Sequence, residues 1–144
     1  QENIFLVKRI EVNLEKNLPQ HSSIPAKPLK DEEKAFIDKL LNYMSSQKPF
    51  LQTEITLKGL SDELNVTSEY LSEIINNDLN KNFFDFINYY RIEEFKNQCK
   101  NDKNKHLNII GLAFNCGFNS KATFNRVFKK ATGLTPSEYI NRSQ

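Results

Sequence analysis

The sequence predicts an all-α protein: two helix-turn-helix units joined by one long linking helix, preceded by an N-terminal arm and one further helix. Three observations support this prediction. Apolar residues recur at helical spacing from residue 31 onward. Two pairs of short amphipathic segments are each separated by a tight turn, at Asn65-Val66 and at Gly117. No strand-rich region competes with this interpretation.

Residues 1–30 are expected to form a linker or arm. Ile10, Val12 and Leu14 alternate as in a strand, but prolines at positions 19, 25 and 28 follow closely and argue against regular structure. The chain begins with Gln1 rather than Met, which indicates a fragment of a longer protein.

An N-terminal helix and its connector are predicted over residues 31–49. Asp31-Glu32-Glu33 places negative charge at a helix start, where the helix dipole favours it. Apolar residues keep helical spacing to about Ser46, and Pro49 ends the element. The predicted buried face comprises Phe36, Ile37, Leu40, Leu41 and Met44.

The first helix-turn-helix is predicted over residues 56–78. Thr56 and Thr67 are suitable N-caps for its two helices, and Asn65 in the turn tolerates a left-handed backbone. The linking helix is predicted over 82–99. Its predicted buried side comprises Phe83, Phe86, Ile87, Tyr90, Phe95 and Cys99.

The second helix-turn-helix is predicted over residues 108–132, within an expected domain of residues 50–144. Asn108 and Ser120 are its predicted N-caps, Gly117 makes the turn, and Gly133 ends the second helix. A closing helix over 135–141 begins with a Thr cap, a Pro at the first helical position and a Glu three residues after the cap.

Charge is distributed unevenly along the chain, although the net charge is only +2. Residues 31–99 carry seven basic and thirteen acidic side chains, net −6, whereas residues 107–144 carry five and one, net +4. Any contact with nucleic-acid phosphate should therefore concentrate in the C-terminal part.

Catalysis and metal binding find no support in the sequence. Cys99 and Cys116 lack metal-ligand spacing to His21 or His106, and no nucleophile–base set or phosphate-binding glycine loop is present. We expect no enzyme activity, no cofactor, no metal and no small-molecule site. No segment approaches the ~20 apolar residues of a membrane span, and reduced core thiols suit a cytoplasmic location.

The run Gly117-Phe118-Asn119-Ser120 is followed at fixed spacing by Phe124, Arg126, Phe128-Lys129-Lys130, Gly133, Thr135-Pro136 and Tyr139. This pattern resembles the DNA-binding domain of the AraC/XylS family of bacterial transcription regulators. The resemblance covers about residues 50–141. Its first half agrees mainly in apolar pattern, together with Asn82–Ile87 and Tyr90-Arg91-Ile92.

The resemblance implies a two-part DNA binder in which each unit places its second helix in the major groove and the linking helix sets their spacing. The implied base-facing positions of the second unit are Lys121, Ala122, Thr123 and Arg126, with Asn125 close by. Those of the first unit are Glu69, Ser72 and Glu73.

The family also implies a separate sensor or dimerisation region, and hence a homodimer. The chain before residue 50 is similar to members with a membrane-embedded sensor, which leaves room for a membrane anchor in the full-length protein.

The roles of the basic residues have open alternatives. Arg126 and Lys121 suit guanine O6 and N7, but they could also contact only phosphate. Lys129 and Lys130 suit phosphate contacts or an ordinary solvated face. Arg91 is interpreted as structural, paired with Glu94 or Asp85, with a backbone phosphate as the alternative.

Glu69 and Glu73 depart from a simple DNA-binding surface, since residues 67–80 carry three acidic and no basic side chains, net −3. A glutamate can accept a hydrogen bond from cytosine N4, but an uncompensated one repels phosphate. The alternative function is therefore a protein-interaction module that contacts RNA polymerase or a partner subunit through an acidic surface.

Overall fold

The computed structural model describes residues 30–104 and 107–143, so the predicted arm lies outside it except for Lys30. These ranges contain seven α-helices and no strand, which confirms the all-α prediction, and none of the helices is long and apolar enough to cross a membrane. The helices are α1 (Asp31–Gln47), α2 (Leu57–Glu63), α3 (Ser68–Glu73), α4 (Phe83–Cys99), α5 (Ile109–Asn115), α6 (Lys121–Thr132) and α7 (Pro136–Ser143).

The chain divides into two compact units. Among the described residues, the first unit contains α1, α2 and α3, and it ends at Phe83. The second contains Lys48–Thr56 and the chain from Phe84 onward, and thus nearly all of α4 together with α5, α6 and α7. The helix α1, which the sequence suggested as a separate element before residue 50, shares a compact unit with α2 and α3. The predicted domain boundary at residue 50 stays a prediction.

The first unit has an aliphatic core. The predicted inner face of α1 is confirmed for Ile37, Leu40, Leu41 and Met44, which are at most 1% exposed, whereas Phe36 is half-buried. The turn between α2 and α3 places Asn65 at a φ of 57°, and Thr67 Oγ1 accepts a hydrogen bond from the backbone N–H of Tyr70 as an N-cap. The other buried aliphatic residues of this unit are Leu60, Leu64, Leu71, Ile74, Ile75 and Leu79.

One feature of the first unit was not predicted. The end of α3 continues into a π-helical segment, Ile74–Asp78, in which the N–H of Leu79 reaches the carbonyl of Ile74 at 3.1 Å. Ile74 and Ile75 of this segment are both buried. Apolar spacing alone does not distinguish the segment from an α-helix.

The second unit is built around phenylalanine rings. Phe95 of α4 lies 4.9 Å from Phe124 and 5.4 Å from Phe128, measured between ring centroids, and Phe118 lies 5.1 Å from Phe124. All four rings are at most 2% exposed, which confirms the predicted core role of Phe118, Phe124 and Phe128. Tilted and edge-on ring pairs of this kind add to the free energy gained by apolar burial.

Arg91 fastens α4 to the preceding segment of the same unit. It is 9% exposed; its Nε donates to the carbonyl of Phe50 at 2.8 Å and its guanidinium NH2 group donates to the carbonyl of Gln52 at 2.8 Å. The structural role is confirmed, but the hydrogen-bond partners of Arg91 are backbone carbonyls rather than the predicted Glu94 or Asp85. Glu94 pairs with Lys48 at 3.2 Å. The buried Phe50 carbonyl needs a donor, and the arginine fork has further N–H groups for the partly buried Gln52 carbonyl.

Candidate nucleic-acid interface

The helix α6 has well-defined ends. Ser120 Oγ accepts a hydrogen bond from the backbone N–H of Thr123 at 3.2 Å and caps the N-terminus. Gly133 has a left-handed φ of 77°, and its N–H bonds the carbonyl of Lys129 at the C-terminus. Both predicted caps are confirmed. They satisfy backbone groups that the helix itself leaves unpaired.

The helix α7 supports the end of α6. The N–H of Thr135 donates to the Glu138 carboxylate at 2.9 Å, and the N–H of Glu138 donates to Thr135 Oγ1 at 3.2 Å, which confirms the predicted capping box. The ring of Tyr139 lies 5.3 Å from Phe128. The helix α7 therefore braces α6 from its buried side.

One face of α6 is buried and the opposite face is basic. Phe124 and Phe128 are 0% exposed, and Arg126 lies roughly 180° around the helix from their mean direction at 3.6 residues per turn. No acidic residue occurs within α6. Of the predicted site residues, Lys121, Ala122, Arg126, Lys129 and Lys130 are exposed, whereas Thr123 and Asn125 are half-buried.

Most basic side chains of α6 form no ion pair with a carboxylate of the described residues. Across residues 30–104 and 107–143, no ion pair involves Lys121, Arg126 or Lys130. Lys129 differs, because it lies close enough to the Glu138 carboxylate to interact with it electrostatically. The pKa of the Glu138 carboxyl is lowered, first by the hydrogen bond from the Thr135 N–H and to a smaller extent by the charge of Lys129. Within α6, Lys121, Arg126 and Lys130 are thus the cations most available to an external anion.

A groove of about 600 Å³ runs along one flank of α6 within the second unit. Its basic and polar wall comes from α6, and the opposite wall comes from the starts of α5 and α7. Its lining residues are Ile109, Ile110, Lys121, Asn125, Arg126, Lys129, Thr135, Pro136 and Ser137.

Phe84 is the residue near this surface that sequence reasoning missed. It lies in the first turn of α4, is 49% exposed, and its ring centroid is 6.0 Å from the guanidinium carbon of Arg126. Phe83 and Phe84 are neighbours in sequence and point in different directions from α4; Phe83 is half-buried and Phe84 is exposed. That doublet was the available signal, but the sequence could not show which neighbour the exposed ring would find.

The helix α3 presents the predicted site residues of the first unit. Glu69 and Glu73 are exposed, and Ser72 is half-buried and accepts a hydrogen bond from Asn76 Nδ2 at 3.0 Å. The predicted acidic surface is therefore present, and it lies on the helix that follows the turn.

Burial lowers the reactivity of both cysteine thiols. Burial raises the pKa of Cys116 to about 12, with smaller contributions from Glu94 and Cys99, and burial also raises the pKa of Cys99. A thiol with a raised pKa is a poor nucleophile at neutral pH. Cys116 is a core side chain, and Cys99 is half-buried.

Comparison with known proteins agrees with this architecture. A family model described as a helix-turn-helix domain matches residues 60–142. The uncharacterized HTH-type transcriptional regulator YpdC of Escherichia coli K12 is 29% identical over 90 residues. That match covers 62% of this chain, which spans about 30% of the length of the curated relative.

Similar solved structures come from several bacteria. A protein of unknown function from Listeria innocua matches at 29% identity with a TM-score of 0.62, over 75% of this chain and 97% of its own. The C-terminal domain of AraT, a response regulator from Geobacillus stearothermophilus, matches at 26% identity with a TM-score of 0.60, over 81% and 88%. The family match exceeds half of the sequence, and the chain belongs to the AraC-type helix-turn-helix family.

Proposed function

We propose that this chain is the sequence-specific, double-stranded DNA-binding part of a bacterial transcription regulator, with α6 as its main recognition helix. Domains of this family are DNA-binding parts of transcription regulators rather than enzymes. The observation that supports the proposal best is the exposed basic face of α6, which lies opposite Phe124 and Phe128 and includes Arg126 and Lys130. A helix fixed in this way can enter a major groove without losing its anchorage.

Affinity and specificity would come from different residues of α6. Lys129 and Lys130 suit phosphate contacts, which position the protein and make binding sensitive to salt. Arg126 and Lys121 suit guanine O6 and N7, a contact worth about 1–3 kcal/mol of discrimination. Thr123 can place its methyl group against thymine.

Two further residues of α6, Ala122 and Asn125, complete the proposed DNA-binding surface. Ala122 is exposed and small, so it permits close approach of the groove edge to α6. Asn125 is half-buried and lines the groove on the flank of α6. From there its amide can contact DNA at the edge of the proposed surface.

A second candidate function concerns the first unit. Exposed Glu69 and Glu73 on α3 have no basic residue near them in sequence, which suits contact with a basic protein surface on RNA polymerase or a partner subunit. A homodimer formed through a sensor region beyond these residues is compatible with the same arrangement. DNA binding by α6 and protein binding by α3 do not exclude each other.

Selection from a random duplex library tests the main proposal. The wild-type chain should recover a defined motif, and Arg126→Ala should lose the preference at one base pair of that motif. The matched control is Arg142→Ala, which removes an exposed arginine from α7 and should keep the full motif. Failure of the wild-type chain to enrich any motif, at low salt as well as at physiological salt, would refute the proposal.

A further inference from the structure

Phe84 of α4 and Arg126 of α6 form an exposed aromatic–cation pair. Phe84 is 49% exposed, while the buried side of α4 includes Phe86 and Phe95, which are 0% exposed. A half-exposed phenylalanine buries less apolar surface than these residues do. Its ring lies beside Arg126, the central exposed residue of α6, and is therefore placed to act on that side chain.

The geometry of the pair suits a cation held against an aromatic face. The guanidinium carbon of Arg126 lies 6.0 Å from the ring centroid of Phe84, at the outer limit of a cation–π contact. Within the residues that the structure describes, Arg126 forms no ion pair with a carboxylate. A stacked guanidinium keeps the N–H donors along its edge free, because stacking uses the face of the group and not its edge.

We propose that Phe84 is a specificity-determining positioning residue: its ring restrains the Arg126 guanidinium so that the N–H fork points outward for two parallel hydrogen bonds to one guanine. The inference rests on the proposed function of α6. A free arginine side chain samples many rotamers and loses that freedom on binding. A ring that restricts those rotamers before binding lowers the ordering cost of the bidentate contact.

The restraint acts on base discrimination more than on general affinity. Phosphate contacts tolerate many side-chain orientations, whereas a bidentate contact to guanine O6 and N7 requires one. Loss of the ring should therefore weaken binding to the preferred duplex more than binding to a duplex in which that one base pair is changed.

The test uses the full 144-residue chain and two duplexes: the motif that it selects, and the same motif with the Arg126-dependent base pair replaced. Phe84→Leu should lower the affinity ratio between the two duplexes by about two- to five-fold and leave the salt dependence unchanged. Phe84→Tyr, which keeps the aromatic face, should retain the ratio. The matched control is Phe114→Leu, since Phe114 on α5 is 47% exposed in the same unit.

A double-mutant cycle completes the test. In the Arg126→Ala background, Phe84→Leu should have no further effect on the ratio, because the ring then has nothing to orient. An unchanged ratio in Phe84→Leu, an equal loss in Phe114→Leu, or a loss that persists without Arg126 would each overturn the inference. If the wild-type chain selects a motif and any of these results is found, this inference fails alone; if it selects none, the proposed function fails first.

Discussion

Gly117 occupies a position that no other residue type fits. Its φ is +103°, and a Cβ there would lie 2.3 Å from the carbonyl oxygen of Phe50 and 2.7 Å from Arg91 Nε. Those two atoms form a hydrogen bond at 2.8 Å. Burial lowers the pKa of Arg91, which reflects the cost of keeping its charge away from water. The guanidinium cannot move away without leaving the buried Phe50 carbonyl unpaired.

Gly117→Ala should therefore destabilise the second unit by about 2–5 kcal/mol, through backbone strain and a disrupted hydrogen bond. Gly133→Ala is the matched control, because Gly133 also has a positive φ of 77° but no atom lies within 4 Å of the added Cβ. The control should cost only about 1–2 kcal/mol. Urea unfolding followed by circular dichroism measures both values, and equal losses would contradict this account of the turn.

At the scale of elements, sequence reasoning was most successful where the signal is local. The ends of α6 follow from Ser120 and Gly133, because capping needs only residues close in sequence. The buried stripe of Phe124 and Phe128 follows equally well from helical spacing.

Contacts between distant residues were not predictable in the same way. The carbonyl partners of Arg91 lie about forty positions earlier in the chain, and the neighbour of Phe84 lies further along it. Periodicity identifies which face of a helix is buried, but it does not identify what that face meets. The burial of Asn88 on α4 was missed for a different reason: a polar residue is not detected by a pattern of apolar residues.

The importance of α6 relative to α3 can be tested through their caps. Ser120→Ala removes the cap of α6 and should cost about 1 kcal/mol of stability. It should also weaken duplex binding, because the first turn of α6 carries Lys121 and loosens. Thr67→Ala removes the equivalent cap of α3. In that cap, Thr67 Oγ1 accepts a hydrogen bond from the N–H of Tyr70 at 3.1 Å.

The two cap variants should lose similar stability but unequal affinity. Fluorescence anisotropy on the selected duplex should show a clear loss for Ser120→Ala and little change for Thr67→Ala. Equal losses of affinity in the two variants would mean that α3 contributes to binding as much as α6 does.

At the scale of the whole molecule, the two compact units differ in charge. Residues 30–47 and 57–83 carry five basic and nine acidic side chains, net −4, whereas residues 48–56 and 84–144 carry eleven and six, net +5. A polyanion should therefore be attracted chiefly to the second unit. If about three to five phosphates are neutralised, log affinity should fall against log salt with a slope of about −3 to −5.

The carboxylates of α3 should oppose this attraction if α3 lies near DNA. The double variant Glu69→Gln/Glu73→Gln should then bind the selected duplex roughly three- to tenfold more tightly at low salt, and the gain should shrink as salt screens the charges. The matched control is Glu32→Gln/Asp38→Asn, which removes two exposed carboxylates from α1 of the same unit. An equal gain in the control would assign the effect to net charge alone. Unchanged binding in the α3 variant would place these carboxylates away from phosphate and favour a protein partner for α3, whereas weaker binding would indicate that a glutamate accepts a hydrogen bond from a base.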